Sequence, residues 1–262
     1  MKEHRERNFR ILEFKENKFD IIGDVHGCYD ELMELIVALG YEKRGHAYFH
    51  PKGRRLISVG DVADKGPKNI LALDFWMDQV AYGGAFWVHG NHCNKLYRYL
   101  SGNKVRISHG LENTVGELGE LTKEERLAFR NRYMSCYESQ CYYLLLDKKR
   151  LAVVHGGLRE ESMGRFSNKI RAVCLYGETT GVFEESGKPE RLDWAAEYRG
   201  KPFVVYGHTL VEEAKIINNT VDIDQGCVYG GYLTALRYPE REFVQVRGKK
   251  YMEYLGGGKV PE

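Results

Sequence analysis

Asp24 and His26 stand one residue apart between Gly23 and Gly27 in the run FDIIGDVHG. Asp61 follows Gly60 in RRLISVGDVAD, and Asn91 and His92 follow Gly90 in GAFWVHGNH. His155 closes RLAVVHG and His208 closes PFVVYGH. Each run is a short apolar stretch that releases a carboxylate, an amide oxygen or an imidazole where the chain leaves it. A mixed His/Asp/Asn set suits Mn²⁺, Ni²⁺, iron or Zn²⁺ better than Mg²⁺ or Ca²⁺, which prefer all-oxygen shells. The expectation is two divalent ions, Mn²⁺ or Ni²⁺ first. One would be held by Asp24, His26, Asp61 and His208, the other by Asp61, Asn91 and His155, with Asp61 bridging. Such a pair, about 3.5–4 Å apart, is the known arrangement for activating water and clamping an in-line phosphoryl displacement. A lone Asp-x-His or a glycine after a strand is commonplace; five such events in one chain are not.

Further residues fit the same chemistry. His92 lies beside Asn91, and Asp64, three residues after Asp61, is its candidate carboxylate partner. An Asp–His pair can hold a protonated imidazole as general acid for a leaving oxygen. Lys65 follows Asp64 and offers a point charge to a phosphate oxygen. Lys95 and Arg98, three residues apart and so on one helical face, His109, and Arg171 with its forked guanidinium are the other candidate phosphate contacts. His46, His50 and His89 are read as ordinary polar or packed histidines.

These groups need elements to hold them. The five apolar runs read as buried strands, and CYDELMELIVALGY after the first carries a helical stripe stopped by Gly40. RRLISVGDVADKGPKNILALDFWMDQVAY repeats the plan with Pro67 near a helix start, and GAFWVHGNHCNKLYRYL repeats it again. Strand–loop–helix repetition predicts right-handed crossovers and a mostly parallel first half. Residues 121–140 predict another helix, with a capping signature at Thr122 and Glu125. Beyond residue 157 short β-rich runs and glycine turns predict a more antiparallel second half. The charged residues 1–18 are expected to be a frayed extension or an edge element, 19–250 a single domain, and 251–262 a flexible tail.

Bulk properties agree with a catalytic globular domain. The 262 residues carry 43% hydrophobic and 29% charged side chains, an ordinary balance for a packed domain. A net charge of +2 is no signal for bulk nucleic-acid binding. Six scattered cysteines form no zinc-knuckle or dithiol spacing, so reduced buried thiols and a cytoplasmic location are expected. No apolar run reaches the ~20 residues of a membrane span.

GDVHG (23–27), GDVAD-K-G (60–66), GNH (90–92), HGG (155–157) and GH (207–208) together resemble, in order, the metallophosphoesterases of the phosphoprotein-phosphatase type. That resemblance implies an α/β fold, a four-layer αββα sandwich with mixed sheets and a dinuclear metal site at one edge. It also implies ligand roles for Asp24, His26, Asp61, Asn91, His155 and His208, and the acid pair His92–Asp64. GDVHGCYDEL, GNHCNKLYRYLSGN, HGLENT, LYGETTG and VDIDQGCVYGGYLTAL are similar to the small bacterial bis(5′-nucleosyl)-tetraphosphatases and to the phosphatase module of polynucleotide kinase-phosphatases. The implied activity is asymmetrical hydrolysis of a small-molecule dinucleoside polyphosphate, with phosphoprotein or RNA 2′,3′-phosphate esters as alternative substrates. A catalytically silent metal-binding regulator is the alternative of another class. Lys65 stands where the family pattern has Arg. Cys93 stands where many eukaryotic protein phosphatases have Glu.

Overall fold

The computed structural model describes residues 8–183, 189–254 and 260. The first half contains β1 Phe9–Leu12, β2 Phe19–Ile22, α1 Tyr29–Ala38, β3 Glu42–Arg44, β4 Ala47–Phe49 and β5 Arg55–Ser58. It continues through α2 Asn69–Tyr82, β6 Phe86–Trp87, α3 Asn91–Leu100, α4 Leu111–Glu120 and α5 Lys123–Ser139. The second half contains β7 Tyr143–Leu146, β8 Leu151–Val154, α6 Asn168–Tyr176, β9 Thr179–Phe183, β10 Pro189–Arg191, α7 Trp194–Glu197 and β11 Phe203–Tyr206. It ends with β12 Ile216–Ile217, β13 Thr220–Asp222, β14 Asp224–Gln225, β15 Tyr232–Tyr238 and β16 Glu242–Arg247.

Two mixed six-stranded sheets result. One runs β14-β15-β2-β5-β6 with β16 on β15, and the other β1-β7-β8-β11-β13-β12. The β2-β5-β6 and β8-β11-β13 stretches are parallel, and β14, β15 and β16 add antiparallel pairs. Period-two alternation sorts the side chains between layers. Phe19, Ile21, Ile57, Leu144, Leu151, Val153, Phe203, Val205 and Leu236 fill the space between the sheets. Ile22, Leu32, Leu35, Ile36, Trp76, Trp87, Leu96 and Tyr133 join the first sheet to its helices. Ala152, Val154, Cys174, Leu175, Trp194 and Val204 join the second sheet to α6 and α7. This is the four-layer αββα order that the resemblance implies. The ligand-bearing strands therefore do not share one sheet: β2, β5 and β6 belong to the first, β8 and β11 to the second, and their carboxyl ends meet at one rim of the sandwich.

The charged N-terminal stretch contributes β1, an edge strand in parallel register with β7. Thr122 and Glu125 form the expected capping box on α5. Helix α4 has a supporting role that periodicity alone did not announce. Glu117 accepts from the backbone N–H groups of Asn69 and Ile70 at 2.8 Å each, and so caps α2 from outside. All six cysteines are buried and none forms a disulfide. No helix among the described residues is long and apolar enough to cross a membrane. Most of the expected flexible tail, residues 255–259 and 261–262, lies outside the described residues, while Tyr251 donates to Glu31 at 2.9 Å.

Candidate metal centre

The loop after β2 and the loop after β5 are stitched together by backbone bonds. The N–H groups of Val25 and His26 both donate to Asp61 O, at 3.1 and 2.9 Å. This forces the side chains of Asp24, His26 and Asp61 toward one point. The turns are tight enough to place non-glycine residues in the left-handed region: His26 at φ 46°, Asp61 at 41°, Asp64 at 74°, Lys65 at 73° and His208 at 73°. Each such residue costs on the order of 1–3 kcal/mol and persists only where its surroundings over-determine it. Glycine is required beside them. A Cβ on Gly90 would strike the Asp61 carboxylate, and one on Gly207 would strike that of Asp24.

The imidazoles are aimed from behind. His26 Nδ1 lies 3.0 Å from Ala63 O and His155 Nδ1 3.0 Å from Val59 O, so each ring donates there and turns Nε2 to the rim. His155 Nε2 comes within 2.9 Å of Asn91 Oδ1 and 3.3 Å of Asp61 Oδ2. Both oxygens of Asp24, and Nε2 of His208, are buried with no hydrogen-bond partner. Unsatisfied buried carboxylate and imidazole atoms converging on one point are what an ion would satisfy. The residues therefore fit a metal group.

The donor atoms fall into two overlapping groups that share Asp61; one of them is His26, Asp61 and His92. Asp61, His155 and His208 form the other, with donor atoms within 4.8 Å, and the His155 and His208 rings are 4.8 Å apart. His208 is thus grouped with His155 and Asp61. The cause is sheet order: β8 and β11 are adjacent parallel strands, so their terminal histidines stand side by side.

Charge is concentrated here. Burial raises the Asp24 carboxyl well above the ordinary range, and the nearby Asp224 and Asp61 push it further. Asp61 goes the other way: burial opposes ionisation, yet His155, His92 and His26 together pull it well below. Burial, then Lys65 and His92, holds His26 well below the usual histidine range.

His92 donates from Nδ1 to Asp64 Oδ2 at 2.8 Å, and Asp64 Oδ1 accepts from Thr114 Oγ1 at 2.6 Å. The paired ring faces His26 edge-on at 4.9 Å, at the border of the donor group. Lys65 Nζ sits 2.7 Å from His26 Nε2 and 5.4 Å from the Tyr229 ring centre, so its ammonium lies on the donor set itself. An ion on His26 would require it to swing outward.

A cavity of about 540 Å³ opens above these groups, and Lys65, Lys95, Arg98 and His109 line it as expected. Arg171 does not. Its Nε donates to Tyr142 Oη at 2.7 Å and its guanidinium lies over that ring, because α6 packs against the outer face of the second sheet. Besides Arg98, the cleft is lined by Arg191, at the end of β10, whose Nη1 donates to Thr209 Oγ1 at 2.8 Å. Its short exposed hairpin carries no periodic signal. Asp224 was also missed. It is buried near Asp24 and Asp61 and lines the cavity, and in VDIDQG it too stands just past a strand and close to a glycine. His89, stacked on Tyr137 at 3.8 Å and bonded to its carbonyl, is a packed histidine.

A sandwich with a rim of convergent Asp, His and Asn donors, and an Asp–His pair beside them, defines a metal-dependent phosphoesterase. A family model of calcineurin-like phosphoesterases matches residues 18–212, and the chain belongs to that family. It is 48% identical over 233 residues to a protein named bis(5′-nucleosyl)-tetraphosphatase PrpE, asymmetrical, of Halalkalibacterium halodurans, covering 89% of this chain and 95% of the relative. The Bacillus subtilis protein of the same name is 46% identical, covering 87% and 93%. Among solved structures, a provisionally assigned diadenosine tetraphosphatase superposes with a TM-score of 0.64 at 21% identity, over 92% of this chain and 98% of the other. A yeast serine/threonine phosphatase follows at 0.53 and 15%, over 93% and 84%. At these identities the structures speak for the fold.

Proposed function

We propose that the chain hydrolyses dinucleoside tetraphosphates asymmetrically, releasing a nucleoside triphosphate and a monophosphate. The observation that supports this most is the pairing of a donor rim and acid pair with near-full-length relatives that carry this activity in their names. Asp24, His26 and Asp61 would hold one divalent ion, and Asp61, Asn91, His155 and His208 the other. The borderline donors favour Mn²⁺ or Ni²⁺, with iron or zinc as substitutes. Bound there, such ions supply Lewis acidity and neutralise phosphoryl charge.

The remaining steps fall to the chain's own residues. Arg191 grips phosphoryl oxygens through two parallel donors, and Lys65 adds one charge once displaced from His26. Lys95, Arg98 and His109 hold the rest of the phosphate chain. Water adds to one phosphorus while the bridging P–O bond on its far side breaks. His92, steadied by Asp64, gives the departing oxygen its proton. Chromatography of products from diadenosine tetraphosphate with Mn²⁺ tests the reading. ATP and AMP in equal amounts are expected; ADP alone, or turnover of phosphopeptides or RNA ends in its place, overturns it.

A further inference from the structure

A second pocket, of about 400 Å³, lies on the far side of Arg191. Its walls are partly the residues that immediately follow metal-site ligands: Gly156 after His155 and Thr209 after His208. Arg191 lines both cavities, and its guanidinium is anchored to Thr209 of the second. Two spaces joined at one phosphate-gripping side chain are arranged for two parts of one ligand.

The two sides have opposite character. Beyond the donor rim, the α3 side of the main cavity carries Lys95, Arg98, Lys104 and Arg106 with no carboxylate among those four. The second pocket is apolar and acidic. Trp194, Tyr206, Val211 and Ile217 contribute ring and aliphatic surface, and the Trp194 and Tyr206 rings lie 4.8 Å apart. Its carboxylates are Glu178, Asp193, Glu213 and Asp222; Glu178 pairs with Arg159 at 2.7 Å and Glu213 with Lys215, which leaves Asp193 and Asp222 beside the cation Arg191. Apart from the paired Lys215, a triphosphate would find one cation there, Arg191, against four on the α3 side of the main cavity. A neutral nucleoside fits: its base has an apolar face to bury, and its amino and hydroxyl donors need acceptors.

We propose that this pocket receives the nucleoside of the one-phosphate half of the substrate while the basic wall receives the three-phosphate half. The polarity of the cleft then selects which phosphoanhydride is cut. The proposal rests on the dinucleoside tetraphosphate reading above. The phosphorus nearest the seated nucleoside takes the water oxygen. Its bond to the next bridging oxygen breaks, and that oxygen leaves with the triphosphate and a proton from His92.

Calorimetric titration of the full chain with AMP and with inorganic tripolyphosphate, at constant free Mn²⁺, tests it. Val211→Trp fills the second pocket and should weaken AMP binding tenfold or more, leaving tripolyphosphate within twofold. Ile217→Trp, at the exposed pocket lip, should do the same to a smaller extent without disturbing the core. Lys104→Glu with Arg106→Glu should show the reverse preference. If the tryptophan variants shift both ligands together, or shift neither, the subsite assignment is wrong. If the unmodified chain binds AMP and tripolyphosphate in this pattern yet leaves diadenosine tetraphosphate uncut, the substrate reading falls and the subsites stand.

Discussion

Asp20 and Asp24 are four residues apart, one inside β2 and one just past its end, and both are buried. Asp20 accepts from Tyr41 Oη at 2.9 Å and from Arg54 Nε at 2.9 and 3.0 Å, and Arg54 goes on to bond Glu240, Phe19 O and Tyr238 O. Asp24 has no hydrogen-bond partner on either oxygen, and only His26 and His155 stand 4.0 Å away. Burial raises both carboxyls, but Arg54 and Tyr41 counter it at Asp20, whereas Asp224 and Asp61 compound it at Asp24. One end of the strand spends its buried charge on holding the sandwich together. The other keeps it unsatisfied and available. A buried carboxylate is diagnostic of chemistry only when its surroundings leave it incomplete.

The comparison can be broken most directly at Asp24. Asp24→Asn is expected to lower kcat/KM about a thousandfold, as the metal's charge stabilisation of several kcal/mol is lost at tenfold per 1.36 kcal/mol. Its metal-free unfolding midpoint in urea should not fall, because a repelling carboxylate has gone. A fall in both would place Asp24 with Asp20 as a structural residue. His92→Ala should cost about 10²–10⁴ in kcat, the usual contribution of a positioned acid, without changing metal stoichiometry. Arg54→Ala is the mirror image. Leaving Asp20 buried with only Tyr41 and, at 3.5 Å, Arg237 beside it should remove roughly 3 kcal/mol of unfolding free energy, with kcat of the folded fraction unchanged.

Smaller effects sharpen the contrast. Mn²⁺ at a hundred times its dissociation constant should stabilise the native chain by about 2.7 kcal/mol in a denaturant titration, and Asp24→Asn should abolish that gain. Alkaline pH probes a third kind of buried group. Burial pushes the Cys136 thiol up to about 12 from an ordinary value near 9. The unfolded chain therefore loses this proton first, and stability is lost as pH rises from about 9 toward 12. Cys136→Ala should flatten that part of the curve by one thiol's share, read as denaturant midpoints at pH 8.5 and 11. An identical slope would mean the thiol ionises as freely folded as unfolded.

Much of the centre was legible because its geometry is local. Asp24 and His26, Asp61 and Asp64, Asn91 and His92 each follow an apolar run within a few residues, so strand period and glycine position predict that they leave the sheet together. Arg171 shows where this fails. It precedes a recognisable turn, yet α6 turns it onto Tyr142, while Arg191 reaches the cleft from an exposed hairpin with no pattern of its own. Helical and strand periodicity report which face is buried, not which distant element packs against it.

The residue types, their order and their place at strand ends were settled by the sequence alone, and with them the donor chemistry and the α/β class, because these depend on side-chain identity and short-range backbone preference. Which histidine stands beside which, the placing of Asp224 beside the donor group, and the entry of Arg191 into the cleft were decided only when two sheets packed face to face. That packing brings together groups more than a hundred residues apart, and no local interaction along the chain encodes such a meeting.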